Sequence, residues 1–196
     1  MEPPPPSGEL VLPLEALGPD QANLAGSKAT NLALIHKYLD APIPPGFVVT
    51  AGSLELFLRE TNLAETIAGL LAGLSPDNPE DLEEKSKAIR DLILQAQVPA
   101  GLAAEISGAY RELEAKTHPG VRLAMRSSAV GEDTEASFAG QYATELNVTQ
   151  DNLLEAYKLV VASKYSPRAV SYRLRYGLED RDTRMCVAGK IGRAHV

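Results

Sequence analysis

The sequence contains one cysteine, Cys186, among its 196 residues. A single cysteine excludes an internal disulfide framework and suits a reducing compartment. No run of about 18 consecutive apolar residues occurs, so the sequence predicts no membrane-spanning helix. The first ten residues are rich in proline and lack the basic and apolar regions of a signal peptide. These absences together predict a cytoplasmic protein.

The chain also lacks an excess of positive charge. Its formal net charge is -7, which argues against a general nucleic-acid-binding surface but is compatible with a local basic pocket. Its 44% hydrophobic and 23% charged residues are ordinary for a globular protein. No metal-ligand spacing and no internal repeat is visible. The length suffices for a domain with a sizeable core.

Periodicity and turn residues predict a mixed order of helices and strands, without the regular alternation of a doubly wound sheet. We expect residues 1–8 to be a disordered, proline-rich lead-in. The predicted strands are Glu9–Leu14, Phe47–Thr50, Val121–Met125, Tyr142–Val148 and one that begins at Met185. The predicted helices follow Ser27, run from Thr50 to Arg59, and cover Leu82–Ala96, Leu102–Leu113, Leu153–Val161 and Pro167–Tyr176.

The last seven residues, Lys190–Val196, continue neither the periodicity nor the turn logic of the preceding chain. The peptide Ile-Gly-Arg-Ala-His-Val, which ends the sequence, is what a common short-read sequencing adapter encodes in one reading frame. We therefore interpret residues 190–196 as an adapter artefact and exclude them from functional reasoning. On this interpretation the natural sequence continues beyond Gly189 and the chain is a fragment. A genuine short tail is the alternative.

The segment Gly26-Ser27-Lys28 opens the first long predicted helix. Glycine lets backbone amides come close to a ligand, and the start of a helix supplies unpaired donors with positive potential. Lys28 adds a mobile cation. The Walker A pattern is absent. The segment therefore fits either a phosphate site or a surface helix capped by Ser27 with a solvated lysine.

A second segment, "RSSAVGEDTEASFAG", begins at Arg126, directly after a predicted strand. Such an arginine can hold a phosphate through two parallel N–H bonds, and Ser127 and Ser128 can donate hydroxyl hydrogen bonds. The "SFAGQ" run at its end is small enough for its backbone to approach a polyphosphate. The alternative is a hairpin loop in which Arg126 pairs with Glu132 or Asp133.

Taken together, "GSKATNLALI…PIPPGFVVTAGSLELFL" and "LAMRSSAVGEDTEASFAGQYATELNV" closely resemble the N-terminal nucleotide-binding region of the phosphoenolpyruvate synthase and pyruvate phosphate dikinase family. That family has a Gly-Gly-Lys segment opening a helix and a proline-rich turn into Gly-Phe. Its second motif is Val-Arg-Ser-Ser-Ala…Ser-Phe-Ala-Gly-Gln…Leu-Asn-Val. The resemblance covers residues 18–189. Ser27 stands where the family usually has its second glycine, and Met125 where it usually has valine, an apolar exchange that a core tolerates.

The resemblance implies an α+β fold of the ATP-grasp type, with residues 9–189 as its N-terminal lobe only. It implies that ATP binds with Mg²⁺, and that Lys28 and Arg126 contact the phosphates. The residues implied in the loop that covers the phosphates are Ser137, Ala139, Gly140 and Gln141. No catalytic residue and no metal ligand is expected here, because the family's catalytic glutamate, most magnesium ligands and phosphohistidine come from regions that would follow Gly189.

The activity implied is transfer of phosphate from ATP to a histidine on a separate mobile domain, and then to pyruvate, water or another small acceptor. This chain alone would be inactive, and the full-length protein would be compatible with a homodimer. Nucleic acid and membrane partners are not expected. Two alternatives stay open at this point: a rifampicin phosphotransferase-like antibiotic kinase, and a stand-alone, non-catalytic nucleotide-binding module.

Overall fold

The structure is a computed structural model that describes residues 9–39, 42–129 and 142–192. The predicted lead-in lies outside these residues. Within them the strands are β1 (Val11–Pro13), β2 (Gly46–Val49), β3 (Leu123–Ala129), β4 (Thr144–Val148) and β5 (Met185–Ile191). The α-helices are α1 (Ala22–Ala25), α2 (Ser27–Leu39), α3 (Ala51–Glu60), α4 (Leu63–Leu71), α5 (Pro79–Gln95), α6 (Ala100–Lys116), α7 (Leu153–Ser163) and α8 (Pro167–Arg175). The mixed α and β class predicted from the sequence is therefore confirmed.

The five strands form one antiparallel sheet in the order β1-β2-β5-β3-β4. The strand that comes last in the chain, β5, thus occupies the middle of the sheet. It pairs with β2 through Gly46 opposite Lys190, and with β3 through Leu123 opposite Ile191. Lys190 and Ile191, which we placed in the adapter-derived tail, therefore belong to the paired part of β5.

Side chains alternate strictly between the two faces of the sheet, as the pleat requires. On β2, Phe47 and Val49 pack into the larger core, whereas Val48 between them packs into a smaller core on the opposite face. On β5, Val187 and Cys186 divide in the same way. The sheet is thus apolar on both faces and needs a helical layer on each.

The larger core lies between the sheet and a layer that includes α3, α4, α5, α6 and α7. Its largest fully buried side chains include Tyr110, Tyr157 and Phe57. The Tyr110 hydroxyl donates to the carbonyl oxygen of Val121 at 2.6 Å, which ties α6 to the approach to β3. Burying a large apolar side chain contributes about 1.5–3 kcal/mol, so this layer supplies most of the hydrophobic stabilisation.

The opposite face of the sheet is covered by α1, α2 and the chain around Leu14–Leu17. Here the contacting residues of α2 are small: Ala29 and Ala33 pack against the sheet. Small side chains let the helix axis approach the strands closely. The smaller core therefore holds the start of α2 tightly against the middle of the sheet.

Local signals explain where several helices begin. The Asn78 side chain accepts a hydrogen bond from the Asp81 amide at the start of α5, and the Ser166 side chain accepts one from Ala169 at the start of α8. Both helices carry proline at the first position, where no amide is needed. Thr50 lies at the N-cap of α3 as predicted, but its hydroxyl donates to the carbonyl of Glu9 instead of capping.

Two helices were not predicted from the sequence, α1 and α4. No helix in the described residues is both long enough and apolar enough to cross a membrane.

Candidate functional site

Gly26 connects α1 to α2 and lies against Ser128 of β3, and this contact between α2 and β3 is called the joint. Its φ of 79° and ψ of 153° lie in a region that is essentially open to glycine alone. A Cβ atom here would lie 2.6 Å from the carbonyl oxygen of Ser128 and would also strike its hydroxyl. Glycine is therefore required twice, for the backbone conformation and for the close approach of β3 to the start of α2.

Ser128 closes this joint from the strand side. Its hydroxyl oxygen accepts a hydrogen bond from the Ala29 amide at 3.4 Å, although 99 residues separate the two. The side chain is 1% exposed, so it serves as a cap for α2 and not as the phosphate donor suggested by the sequence. Ser27, predicted as the N-cap, is instead the first residue of α2, because the cap is supplied across the sheet.

Lys28 and Arg126 both lie close to this joint. Lys28 is exposed on the first turn of α2, two residues after Gly26. Arg126 is exposed on β3, two residues before Ser128, and alternation places both on the sheet face that α2 covers. The structure thus brings the two predicted cations to the same joint from segments almost 100 residues apart in sequence.

The joint has the properties of an anion site. The first amides of α2 have no partners within the helix, and the helix dipole adds positive potential at this end. A lysine contributes a mobile point charge, whereas an arginine contributes a planar fork that binds two oxygens of one phosphate. Ser127, between Arg126 and Ser128, lies by the same alternation on the opposite face of the sheet and adds no donor at the joint. The arrangement fits a phosphate group or a polyphosphate chain.

The remaining predicted site residues are Ser137, Ala139, Gly140 and Gln141, and they lie outside the described residues, as do Glu132 and Asp133. The ends of the intervening segment are described. Ala129 pairs with Met185 at one end, and the Ala143 amide donates to the Ser163 hydroxyl at 2.9 Å at the other. The segment therefore leaves β3 three residues after Arg126.

The strand beneath the joint is fixed to α1. Cys186 lies opposite Ser128 in the sheet, and its thiol donates to the carbonyl of Leu24 at 3.0 Å. Burial raises the pKa of this thiol to about 12, so it stays protonated and serves as a donor. Arg184, two residues before Cys186, pairs with Glu55 at 2.8 Å and donates to the carbonyl of Asn23 at 3.3 Å. These contacts keep α1, and hence Gly26, in register with β5.

A buried charged cluster supports the same end of the sheet from the other layer. Asp180 Oδ1 lies 3.0 Å from Lys164 Nζ and 3.5 Å from Arg173 Nη2, and Tyr165 donates to Asp180 Oδ2 at 3.0 Å. Arg173 also donates to the carbonyl of Lys164 at 2.6 Å. Desolvation lowers the pKa of Lys164 although Asp180 opposes the shift. The cluster joins α7, α8 and the turn that leads into β5.

No pattern in the sequence predicted these supports. The Ser128 cap, the Cys186 thiol bond and the Asp180 cluster each join residues that are distant in sequence, and none belongs to a recognisable motif. They could be found only once the order of the strands was known. The sequence did identify the two exposed cations, because each stands beside turn residues of a recognisable kind.

A cavity of about 350 Å³ lies elsewhere, between α6 and the strands β1 and β2. Its lining includes the carboxylates Glu15, Glu105 and Glu112 and one cation, Lys116, which is paired with Glu15 at 3.0 Å. Such a lining repels a polyphosphate. The cavity is therefore not a candidate for the same ligand, and the joint between α2 and β3 remains the candidate site.

Comparison with known proteins gives a family match over most of the chain. The model of the family described as pyruvate phosphate dikinase, AMP/ATP-binding domain, matches residues 22–189. The matched region begins with α1 and includes Lys28, Arg126 and nearly all of β5. Both halves of the joint thus lie inside the matched region.

Several curated relatives cover the same region. A phosphoenolpyruvate synthase of Aquifex aeolicus is 38% identical over 180 residues, which are 88% of this chain and 21% of the relative. One of Aeropyrum pernix is 38% identical over 184 residues, or 91% and 22%. A probable phosphoenolpyruvate synthase of Methanocaldococcus jannaschii is 37% identical over 169 residues, or 85% and 14%. The chain therefore spans less than a quarter of the length of these relatives.

Proposed function

Because this chain belongs to the pyruvate phosphate dikinase AMP/ATP-binding domain family, we propose that it forms the N-terminal lobe of an ATP-grasp-type domain in a phosphoenolpyruvate synthase-like phosphotransferase. The observation that carries this proposal is the contact of Gly26 with Ser128, which sets Lys28 and Arg126 at one joint. A cytoplasmic setting, where ATP is plentiful, goes with this activity.

In this proposal the chain binds and orients the triphosphate of ATP. Lys28 neutralises phosphate oxygens as a point charge, and the Arg126 guanidinium donates two parallel N–H bonds to two oxygens of one phosphate. The positive end of the α2 dipole lies on the same side and favours an anion there. As the terminal phosphoryl group leaves, negative charge grows on the oxygens that it leaves behind. Fixed cations stabilise that charge at no reorganisation cost.

The phosphoryl group itself passes to an acceptor outside this chain. We propose that the first acceptor is a histidine of another domain, whose nitrogen forms the new N–P bond as a phosphoanhydride bond of ATP breaks and the remaining nucleotide leaves. Pyruvate, water or another small molecule then receives the group. The relatives named phosphoenolpyruvate synthase favour pyruvate over an antibiotic as the organic acceptor.

Magnesium ions accompany ATP in phosphoryl transfer and screen its charge. Residues 9–39, 42–129 and 142–192 contain no group of three His, Cys, Asp or Glu side chains placed to hold a metal ion. The described residues thus do not fit a protein-bound magnesium site, and the steps proposed for Lys28 and Arg126 involve no metal ligand from them.

Replacement of each cation tests the proposal. In the full-length protein, Lys28→Ala and Arg126→Ala should each slow single-turnover phosphorylation of the histidine by labelled ATP by about 10²–10³-fold, because each removes a charged donor from the phosphate site. Both side chains are exposed, so thermal melting should hardly change.

Lys87→Ala is the matched control. Lys87 is an exposed lysine on α5 whose only described ion pair is with Asp91, one helical turn away. The control should keep the normal rate, since it removes equal charge from the chain at a distance from the joint. Normal rates in both Lys28→Ala and Arg126→Ala would remove the joint from the site.

A further inference from the structure

The outward face of α2 carries an apolar patch next to the candidate phosphate site. Ile35 is 46% exposed, Tyr38 69% and Leu39 72%, and these are three of the most exposed large hydrophobic side chains in the described residues. They lie on the side of the helix opposite Ala29 and Ala33, which pack on the sheet. Large side chains clustered in this way on one helix face usually mark an interaction surface.

Lys28 belongs to the same face. With 3.6 residues per turn, positions 28, 35 and 39 fall in one row along the helix, two and three turns apart. Lys28 is exposed at the start of that row, and the apolar patch is at its end. Lys28 and the patch therefore share one row of the helix, so a polypeptide that packs along this row reaches both of them.

Charge selects the kind of partner. Between Ser27 and Leu39 the helix carries Lys28, His36 and Lys37 and no acidic residue, within a chain of net charge -7. Two copies of this chain meeting through α2 would bring these like charges together. A complementary partner is a surface with an apolar centre and acidic residues at its rim.

We propose that the outward face of α2, defined by Lys28, Ile35, Tyr38 and Leu39, is the docking surface for the polypeptide that closes over the bound nucleotide in the full-length protein. This inference rests on the proposed function. The occupant is sought within the same protein because the relatives are more than four times longer than the matched region. The isolated chain leaves the patch in water.

Site-specific photo-cross-linking tests the inference. The photoreactive amino acid p-benzoylphenylalanine replaces Leu39 in one sample of the full-length gene product and Tyr38 in a second. A control sample carries it at Glu84, an exposed polar position on α5. Each sample mixes isotope-labelled and unlabelled copies, so that peptide mass spectrometry separates bonds within one copy from bonds between copies. ATP binding is measured on the same samples before illumination.

The expected result is a bond within one copy from positions 38 and 39 to peptides beyond Gly192, in a yield well above that from position 84. Bonds that join labelled to unlabelled copies would assign the face to a second copy and overturn the inference. A yield no higher than the control, or a gene product that ends by Val196, would also overturn it. Loss of the cross-link with normal ATP binding contradicts the docking surface alone, whereas absence of ATP binding in unsubstituted protein contradicts the proposed function.

Discussion

At the scale of single residues, the site depends on a close contact between one glycine and one serine. Gly26 and Ser128 place the start of α2 against β3, and Lys28 and Arg126 acquire their positions from that contact. The sequence indicated a glycine before a lysine and a serine after an arginine. It could not indicate that the glycine touches the serine, because the contact spans about half of the chain.

Gly26→Ala should destabilise the protein by about 1–3 kcal/mol. The new methyl group meets the Ser128 backbone, and alanine is strained at the φ and ψ of this residue. The control is Gly69→Ala on α4, where an added Cβ meets nothing within 4 Å. That change should be neutral or stabilise by up to about 1 kcal/mol, since alanine favours helix. Chemical denaturation measures the free energy of unfolding of both variants. An unchanged value for Gly26→Ala would show that α2 and β3 are not closely packed at the joint.

The buried Lys164 predicts a dependence of stability on pH. Its pKa is lowered in the folded state, mainly by desolvation, with Arg173 acting in the same direction and Asp180 and Glu55 against it. In the range between the lowered value and the ordinary value of about 10.4, the unfolded chain binds more protons than the folded one. This residue therefore makes the free energy of unfolding rise with pH across that range.

Cys186 acts in the opposite direction. Its thiol pKa is raised in the folded state, so its contribution to the free energy of unfolding falls with pH once the thiol of the unfolded chain begins to ionise. Comparison with Lys164→Met isolates the lysine. Denaturation at several pH values from about 7 up to the ordinary lysine pKa of about 10.4 should show a difference in unfolding free energy, wild type minus variant, that increases as pH approaches that value. A difference that stays constant would mean that the ammonium keeps its ordinary pKa.

At the scale of elements, sequence patterns located most helices and strands. The stripe that begins at Leu82 predicted α5, and the alternation of Leu123 and Met125 predicted β3. The pattern could not give the order of the strands, because pairing depends on contacts between distant segments. It missed α4, a nine-residue helix whose N-cap residue, Asn62, has a left-handed backbone and makes no side-chain capping bond. It predicted a strand that begins at Met185 but not that this strand, β5, fills the centre of the sheet.

The central place of β5 predicts how the chain responds to truncation. A chain that ends at Arg184 lacks β5, so β2 and β3 lose their shared neighbour and the sheet divides into two pairs of strands. Two-stranded pairs are marginal in water, and such a chain should lose its cooperative thermal transition. A chain that ends at Gly192 keeps the whole strand and should melt as the 196-residue chain does. Cooperative melting of the shorter form would contradict the sheet order.

At the scale of the whole molecule, the charges are segregated. The chain is acidic overall, and the carboxylates of the cavity near α6 contribute to this, while the joint between α2 and β3 presents Lys28 and Arg126. A polyphosphate therefore favours the joint over the acidic cavity. Residues Ser137, Ala139, Gly140 and Gln141 remain a prediction, and the family match supports the joint by containing both of its halves.

In the proposed function this chain is one lobe of a two-lobed site and supplies only part of the contacts to ATP, so the isolated chain should bind ATP weakly and show no turnover. Binding of this kind is still visible residue by residue in nuclear magnetic resonance spectra of the ¹⁵N-labelled chain. A titration of this chain with ATP and magnesium, followed through the backbone amide signals, tests directly whether Lys28 and Arg126 form the phosphate site.

The amide signals of Lys28, Ala29 and the segment Arg126–Ser128 should shift together as ATP is added. In the same titration of the Arg126→Ala variant, the chemical shifts of these amides should hardly change, because one of the two cations at the joint is gone. A phosphate site at the joint is contradicted if millimolar ATP does not shift these signals in the unsubstituted chain. It is equally contradicted if the signals of Gly46 and Gly108, which line the acidic cavity, shift in their place.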